Sequence, residues 1–253
     1  MADLKLVKKS RLPTRLNVIF IHGLNGDPVS TWQSSETIPQ FWPSWLYADF
    51  DDIAIWTIGY EAPKTRWFPS KTAMAIQDRA TNILELLMAK EQPMEAEIVL
   101  VGHSMGGLII KQMLRTADSL SSIRSDAAKF CDLVRHVVFI ATPHAGSGQA
   151  SLMNTLRVLT RPSAATEGLV RNSPALRDLN LWYREWVANK SITHLILVET
   201  KSTGYIGTIV KEDSSDPGLQ TRPIPIDADH SSISKPATKQ SDVYIHIRKL
   251  LSQ

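Results

Sequence analysis

The sequence predicts an α/β fold, with a mostly parallel central sheet and helices on both of its faces. Apolar runs of strand length alternate with amphipathic helical segments, and the apolar runs are continuous. Continuous apolar strands are typical of a parallel sheet that is buried on both faces. The chain has 253 residues, 43% of them hydrophobic, which is enough for a large core. We therefore expect residues 1–253 to form a single domain.

The first half of the chain contains three predicted strands and the helices between them. The strands are apolar and rich in β-branched residues, at 16–21, 53–58 and 98–101. A tryptophan-rich segment follows the first strand and predicts a short helix at 43–47. Ser70 is the predicted N-cap of a longer helix, whose apolar positions recur at helical spacing as far as Leu87.

The second half contains three further predicted strands and a long insertion. The strands are predicted at 134–140, 192–198 and 222–226. Residues 147–190 carry no strand signal, only amphipathic stretches, so we expect a helical cap or lid there. The chain closes with a helix that is capped by Ser241. The polar segments that carry reactive side chains follow strand ends, and in parallel sheets the functional site lies along that edge.

The stretch around Ser104 is the strongest functional signal in the sequence. An apolar strand meets Gly-x-Ser-x-Gly at residues 102–106 and changes at once into a helical pattern. This sequence between a strand and a helix is typical of a nucleophile elbow, a tight turn that exposes a serine. Its glycines allow strand and helix to approach, and the helix directs free N–H groups at the reacting centre. We therefore expect Ser104 to be a nucleophile.

A serine nucleophile needs a base, and the sequence offers seven histidines. His230 is the best candidate because it lies in a polar loop after the last strand and follows the serine in chain order. His144, at another strand end, is the alternative. We expect His103 to pack inside the elbow and His22 to organise the loop after the first strand. The remaining three are expected to be structural: His136, His194 and His246.

The base needs a carboxylate that fixes its tautomer, and the sequence leaves two candidates. The acid is expected between Ser104 and His230, in the loop after the penultimate strand. Glu199 stands at the end of that strand, which suits a group that must hold an imidazole rigidly. Asp213 lies further out in the same loop and is the alternative.

An oxyanion hole needs two backbone N–H donors near the developing charge. The amide of Met105, directly after the serine, is one expected donor. The other is expected at Leu24, in the loop after the first strand, where Gly23 allows the backbone to approach. The aromatic segment and the insertion could line an acyl pocket or form ordinary core, and the sequence leaves both interpretations open. The side chains concerned are Trp42, Trp45, Leu156, Leu169 and Trp182.

Composition argues against several classes of function. A net charge of +3 with interspersed signs does not indicate nucleic-acid binding, and no spacing predicts a metal site or a cofactor. Cys131 is the only cysteine, which excludes an internal disulfide. No apolar run is long enough to cross a bilayer and no secretory signal is evident, so a cytoplasmic location is expected. The basic cluster at residues 5–15 is expected to be a solvated terminus, with peripheral membrane contact as the alternative.

Four segments occur in an order that is specific to one superfamily, at residues 18–24, 102–107, 141–147 and 226–231. In these segments the chain resembles the α/β-hydrolase superfamily, and within it the serine esterases and lipases related to the GPI inositol-deacylase and the serine active-site-containing protein. The resemblance implies an α/β-hydrolase fold, with Ser104 as nucleophile and His230 as base. It implies Leu24 and Met105 as oxyanion donors. It also favours Glu199, because relatives of the serine active-site-containing protein carry a glutamate at this strand end.

The predicted activity is hydrolysis of carboxylic esters through a Ser-His-acid triad and an acyl-enzyme. Small-molecule or lipid esters are the expected substrates, and no cofactor is expected. Two alternatives are kept: a degenerate hydrolase that acts as a binding or signalling module, and a thioesterase or amidase that uses the same triad. The sequence leaves the oligomeric state open.

Overall fold

The structure is a computed structural model, and it describes residues 2–23, 26–34, 38, 40–60, 76–144, 173–202 and 215–253. Within these residues the strands are β1 Asp3–Lys8, β2 Leu16–Ile21, β3 Ile53–Gly59, β4 Glu97–His103, β5 Val134–Ile140, β6 Thr193–Glu199 and β7 Ile224–Ile226. They form one seven-stranded sheet in the order β1-β3-β2-β4-β5-β6-β7. Strand β1 is antiparallel to β3, and every other neighbouring pair is parallel.

Helices cover both faces of this sheet. Those described are α1 Pro43–Asp49, α2 Ile76–Met88, α3 Met105–Leu120, α4 Ser125–Leu133, α5 Ser173–Val187 and α6 Asp242–Leu251. Helices α2 to α5 contribute to one core cluster, and α1 and α6 contribute to the other. Alternate residues of β2 face the two clusters, with Ile19 and Ile21 on the first side and Val18 and Phe20 on the second. The predicted fold class is therefore confirmed.

The basic N-terminal segment differs from the prediction of a solvated terminus. Residues Asp3–Lys8 form the antiparallel edge strand β1, in which Leu4 is buried and Lys5 and Lys8 are exposed. This strand was hard to predict because its apolar residues are few and interleaved with lysine. The lysines suit an edge strand, since exposed charge discourages pairing with another chain.

Helix α4 is also absent from the sequence-based expectations. It buries only a narrow stripe of side chains: Ala127, Phe130 and Cys131. A nine-residue helix with so few apolar positions gives a weak periodic signal. Its last residue, Leu133, runs directly into β5, so no turn residue marks the boundary.

The predicted helical insertion at 147–190 lies in large part outside the described residues, as does the predicted cap Ser70. Its described part is α5, which buries Leu179 and Tyr183. Ser241 does occupy the N-cap position of α6, but its side chain makes no capping hydrogen bond. It accepts instead from the amide of Thr238 at 3.2 Å. The division into one domain with a cap stays a prediction.

Gly106 marks the point where α3 touches the backbone of β2. A Cβ atom at this position would lie 2.2 Å from the carbonyl oxygen of Ile21 and 2.8 Å from that of His22. Because both are backbone atoms, the strand itself must move to admit a methyl group. We expect Gly106→Ala to lower the free energy of unfolding by about 4 kcal/mol or more, measured by urea denaturation.

Gly59→Ala is the matched control for this substitution. The Cβ of that variant meets the Pro28 ring, at 3.1 Å, rather than backbone. We expect a clearly smaller loss of stability there, because a side chain can shift by a few tenths of an ångström. Equal losses in the two variants would contradict the backbone-contact argument for Gly106.

Candidate active site

Ser104 lies on a tight turn between β4 and α3. Its backbone angles are φ 54° and ψ −125°, a conformation that is strained for any residue other than glycine. The Ser104 amide donates to the carbonyl of Ile140 at 2.9 Å, and the Gly107 amide donates to the carbonyl of Ser104 at 3.1 Å. A Cβ at Gly102 would lie 2.7 Å from the Gly107 nitrogen, so the close approach of strand and helix needs glycine there. This is the strand-turn-helix geometry that the sequence predicts.

The structure brings together three side chains from three strand ends. The Nε2 atom of His230 lies 3.0 Å from the Oγ atom of Ser104. Its Nδ1 atom lies 2.6 Å from the Oε2 atom of Glu199. All three residues are buried, with exposed fractions of 2% for Ser104, 3% for His230 and 4% for Glu199. In such a chain an imidazole can accept the serine proton while the carboxylate orients the ring.

Glu199 reaches His230 because β6 and the loop after β7 are joined at their ends. Glu199 is the last residue of β6 and pairs with Ile226. The amide of Lys201 donates to the carbonyl of Ala228 at 3.0 Å, which ties the two chain segments together just beyond the sheet. The competing candidate Asp213 lies outside the described residues.

The two aspartates that closely precede His230 in sequence have other partners. Asp227 pairs at the surface with the ammonium group of Lys201, at 2.8 Å. Asp229 Oδ1 accepts hydrogen bonds from the amides of Ser231 and Ser232, at 2.8 and 2.9 Å. Burial opposes the ionisation of Asp229, but these hydrogen bonds outweigh it and lower the pKa of the carboxyl group. Both aspartates therefore shape the loop that carries His230.

One expected oxyanion donor lies within the described residues. Met105 is the first residue of α3, so its amide has no acceptor within the helix. Leu24, the other expected donor, lies outside the described residues. Its neighbour Gly23 passes close to the serine: a Cβ at residue 23 would lie 2.8 Å from the Cβ of Ser104. Gly23 therefore lies directly beside the elbow, and the assignment of the second donor to Leu24 stays a prediction.

His22 holds the start of that loop. Its Nδ1 atom lies 2.8 Å from the carbonyl oxygen of Gly23, and its ring stacks on Tyr60 with a centroid distance of 4.0 Å. The Tyr60 hydroxyl donates a hydrogen bond to the carbonyl of His22. Burial raises the pKa of Tyr60, so the hydroxyl stays a donor at neutral pH. These contacts fit the organising role predicted for His22.

The tryptophans that the structure describes among these side chains pack against other aromatic rings. Trp42 is fully buried and packs edge-on against Phe20 at 5.4 Å between ring centroids. Trp45 packs edge-on against Tyr244, and Trp182 stacks on a neighbouring tryptophan of α5. These are core and surface-packing contacts, so the acyl-pocket interpretation receives no support from them. Leu156 and Leu169 lie outside the described residues.

His144, the alternative base, is engaged elsewhere. Its Nδ1 atom lies 2.7 Å from the Nζ atom of Lys111, which also donates to Asn180 Oδ1 at 2.6 Å. Burial and the neighbouring lysine hold the pKa of His144 well below its ordinary value. Burial likewise lowers the pKa of Lys111. This buried cluster connects α3 to α5 and leaves His230 as the histidine that contacts Ser104.

His103 is buried, as expected for a side chain that packs inside the elbow, but it also makes a contact that the sequence did not predict. Its Nε2 atom lies 2.9 Å from the backbone carbonyl oxygen of His230. The only sequence signal for this contact is that residue 103 ends β4 and immediately precedes Ser104.

His194, expected to be structural, lies with its Nε2 atom 2.8 Å from the Tyr183 hydroxyl.

The described residues contain no candidate metal site. No group of three or more His, Cys, Asp or Glu side chains is arranged to hold a metal ion in the described part of the chain. Cys131 is buried, and burial raises the pKa of its thiol to about 11. Among the helices that the structure describes, none is long and apolar enough to cross a membrane.

The sequence also matches a known protein family. Residues 70–214 match the family model described as the PGAP1-like alpha/beta domain. The chain is 32% identical to Protein SERAC1 of Bos taurus and 30% identical to Protein SERAC1 of Homo sapiens, each over 261 residues. In both cases the match covers 94% of this chain but only 38% of the relative. The chain thus spans about two fifths of the length of these curated relatives.

Solved structures share the fold at low sequence identity. The mature form of the Bacillus licheniformis lipase BlEst2 superposes with a TM-score of 0.61 at 16% identity, covering 97% of this chain and 98% of that one. Phospholipase PlaB from Legionella pneumophila gives a TM-score of 0.65 at 15% identity, covering 94% of this chain and 60% of that one. These similarities support the α/β-hydrolase fold.

Proposed function

This chain belongs to the PGAP1-like α/β domain family, and we propose that it is a serine hydrolase that cleaves carboxylic esters. The observation that carries the proposal is the buried chain of contacts from Ser104 Oγ through His230 to Glu199, at 3.0 and 2.6 Å. A serine, an imidazole and a carboxylate in this order convert a weak alcohol nucleophile into a reactive one.

In the first half of the reaction, Ser104 Oγ attacks the acyl carbonyl carbon. The serine proton passes to His230 Nε2 as the new C–O bond forms, and the carbonyl oxygen becomes an oxyanion. Collapse of this tetrahedral intermediate breaks the bond to the leaving alkoxide. His230 returns its proton to that oxygen, which leaves an acyl-enzyme on Ser104 and a free alcohol.

In the second half, water replaces the alcohol. His230 removes a proton from water as the water oxygen attacks the acyl carbon, and a second tetrahedral intermediate forms. Its collapse breaks the bond to Ser104 Oγ, and His230 returns the proton to the serine. The products are the carboxylic acid and the restored enzyme.

Glu199 has the role of orienting the ring and stabilising its charge. Hydrogen bonding to the carboxylate places the hydrogen on Nδ1, which leaves Nε2 free to accept from Ser104. When His230 becomes an imidazolium, the buried carboxylate 2.6 Å away offsets its charge. Because both groups are almost fully buried, this pairing is screened little by solvent.

The oxyanion is stabilised by backbone amides in this proposal. The Met105 amide, at the first position of α3, is the donor beside Ser104, and the helix dipole adds positive potential at the same point. Leu24 supplies the second donor from the loop after β2. The close passage of Gly23 by Ser104 supports this second assignment.

The substrate class we propose is an ester with an apolar acyl chain, including lipid esters. Two proteins with similar folds, a lipase and a phospholipase, support this class. A thioesterase domain from the nocardicin cluster shares the fold with a TM-score of 0.50, so a thioester series belongs in the same substrate survey. Intact contacts at Ser104, His230 and Glu199 argue against a binding module that has lost its chemistry.

Labelling and turnover together test the proposal. The chain should react with a fluorophosphonate probe at Ser104, as located by peptide mass spectrometry, because the probe phosphonylates activated serines. It should also hydrolyse p-nitrophenyl esters, with kcat/KM rising from short to long acyl chains. Matched thioesters and anilides report the other two bond types. Absence of both labelling and turnover across all three series would sink the assignment.

A further inference from the structure

The residue before the nucleophile contacts the base that serves it. His103 Nε2 lies 2.9 Å from the backbone carbonyl oxygen of His230. The two imidazole rings are in contact, with 5.0 Å between centroids and a tilt of 43° between their planes. The His103 ring also meets Trp32 edge-on, at 6.3 Å between centroids. The ring is thus enclosed, and only 8% of the residue is exposed.

The protonation state of His103 follows from this enclosure. Burial, followed by the nearby imidazole of His230, lowers the pKa of His103 to about 3. The ring is therefore neutral at physiological pH and carries one N–H. Because a backbone carbonyl can only accept a hydrogen bond, that hydrogen is on Nε2. His103 therefore adds no positive charge that would oppose an imidazolium at His230.

The loop that carries His230 is attached to the protein at several points. The carbonyl of Ala228 accepts from the amide of Thr200, and the carbonyl of Ser234 accepts from the indole N–H of Trp42 at 2.9 Å. These two hydrogen bonds are made to residues before and after His230 in the loop, and neither is made to His230 itself. The hydrogen bond from His103, by contrast, is made to the backbone carbonyl of His230 itself. Its donor directly precedes Ser104 in the sequence.

We propose that His103 is a positioning residue, whose Nε2–H fixes the backbone of His230 and thereby keeps the His230 ring within hydrogen-bond distance of Ser104. Because residues 103 and 104 are adjacent, one dipeptide supplies the nucleophile and the donor that holds the backbone of the base. Glu199 fixes the orientation of the His230 ring, and His103 fixes the position of the backbone from which that ring projects. This inference rests on the proposed serine-hydrolase function.

Three substitutions separate the hydrogen bond from the packing of the ring. His103→Phe keeps an aromatic ring and removes the N–H. His103→Gln removes the ring but keeps an N–H donor three bonds from Cβ, where Nε2 stands in histidine. His103→Met has a shape close to that of glutamine and has no donor. If Phe fails to fold, the comparison of Gln with Met still isolates the hydrogen bond.

Two rates are measured for each variant: kcat on a p-nitrophenyl ester and the rate constant of fluorophosphonate labelling at Ser104. We expect His103→Phe and His103→Met to lower kcat and the labelling rate constant by about 30- to 100-fold with little change in KM, because misplacing a reacting group by about 1 Å costs on this order. His103→Gln should keep most of the wild-type rates. Equal rates for His103→Gln and His103→Met, at equal thermal stability, would contradict the positioning role of the hydrogen bond.

The two readouts also separate this inference from the proposed function. If the wild-type chain is labelled at Ser104 but turns over no ester, the ester-hydrolase proposal fails. In that case the order of labelling rates among Gln, Met and Phe still decides the role of His103. If esters are hydrolysed and all three variants keep wild-type rates, the function stands and the positioning role is rejected.

Discussion

Replacing Ser104 by alanine is expected to remove both ester hydrolysis and fluorophosphonate labelling while the chain stays folded. Loss of a triad serine lowers kcat by up to about 10⁶-fold, because no other group at the site can form the acyl-enzyme. Alanine keeps the Cβ that the turn already accommodates at φ 54°, so the urea midpoint should change little. Steady-state kinetics and in-gel labelling measure the loss, and urea denaturation measures the stability.

Ser119→Ala is the matched control for this variant. Ser119 lies near the end of the same helix, and its hydroxyl bonds only the carbonyl of Thr116 among the hydrogen bonds described. Its removal should leave labelling and turnover at wild-type levels. Persistent labelling in Ser104→Ala, mapped to another serine, would show that the elbow is not the reactive site.

Replacing Glu199 by glutamine is expected to lower kcat by about 10³- to 10⁴-fold, the range seen when the acid of such a triad is neutralised. The amide is close in size to the carboxylate, so packing is largely preserved. Its NH₂ group can donate to Nδ1 of His230, which places the ring hydrogen on Nε2. That tautomer donates toward Ser104 instead of accepting its proton. Stopped and continuous p-nitrophenyl ester assays at several pH values measure the effect.

Two other acids provide the comparison for Glu199. Asp213→Asn tests the alternative acid that the sequence leaves open, and Asp227→Asn tests a surface acid three residues before His230. Both are expected to retain activity within a few-fold of wild type. Loss of activity in Asp213→Asn, with activity kept in Glu199→Gln, would assign the acid to residue 213 instead.

The strands and the elbow could be predicted because their signals are local. Continuous apolar runs predict β2, β3, β4, β5 and β6 to within two residues of their bounds, since each is a core strand covered on both faces. The turn at Ser104 is encoded by glycines two residues to either side of it. His230 could be predicted as the base because it follows Ser104 in chain order and lies after the last strand. Edge strand β1 and helix α4 escaped prediction because each buries only a few side chains.

The role of tryptophan could not be read from composition. A large aromatic side chain can line a pocket or fill a core, and the sequence pattern is the same in both cases. Trp42 proves to be a core residue that also donates its indole N–H to the His230 loop. That donor and acceptor are 192 residues apart in the chain, so no local pattern could connect them.

The sequence by itself determined the fold class, the elbow with Ser104, and a histidine placed after the last strand. These depend on spacings of a few residues and on the direction of parallel strands, both of which are local or topological. Only the tertiary structure placed Glu199 against His230 and turned the ring of His103 toward the His230 carbonyl. Those contacts join residues 31 and 127 positions apart, and hydrogen bonds at about 3 Å depend on how segments pack, which periodicity does not encode.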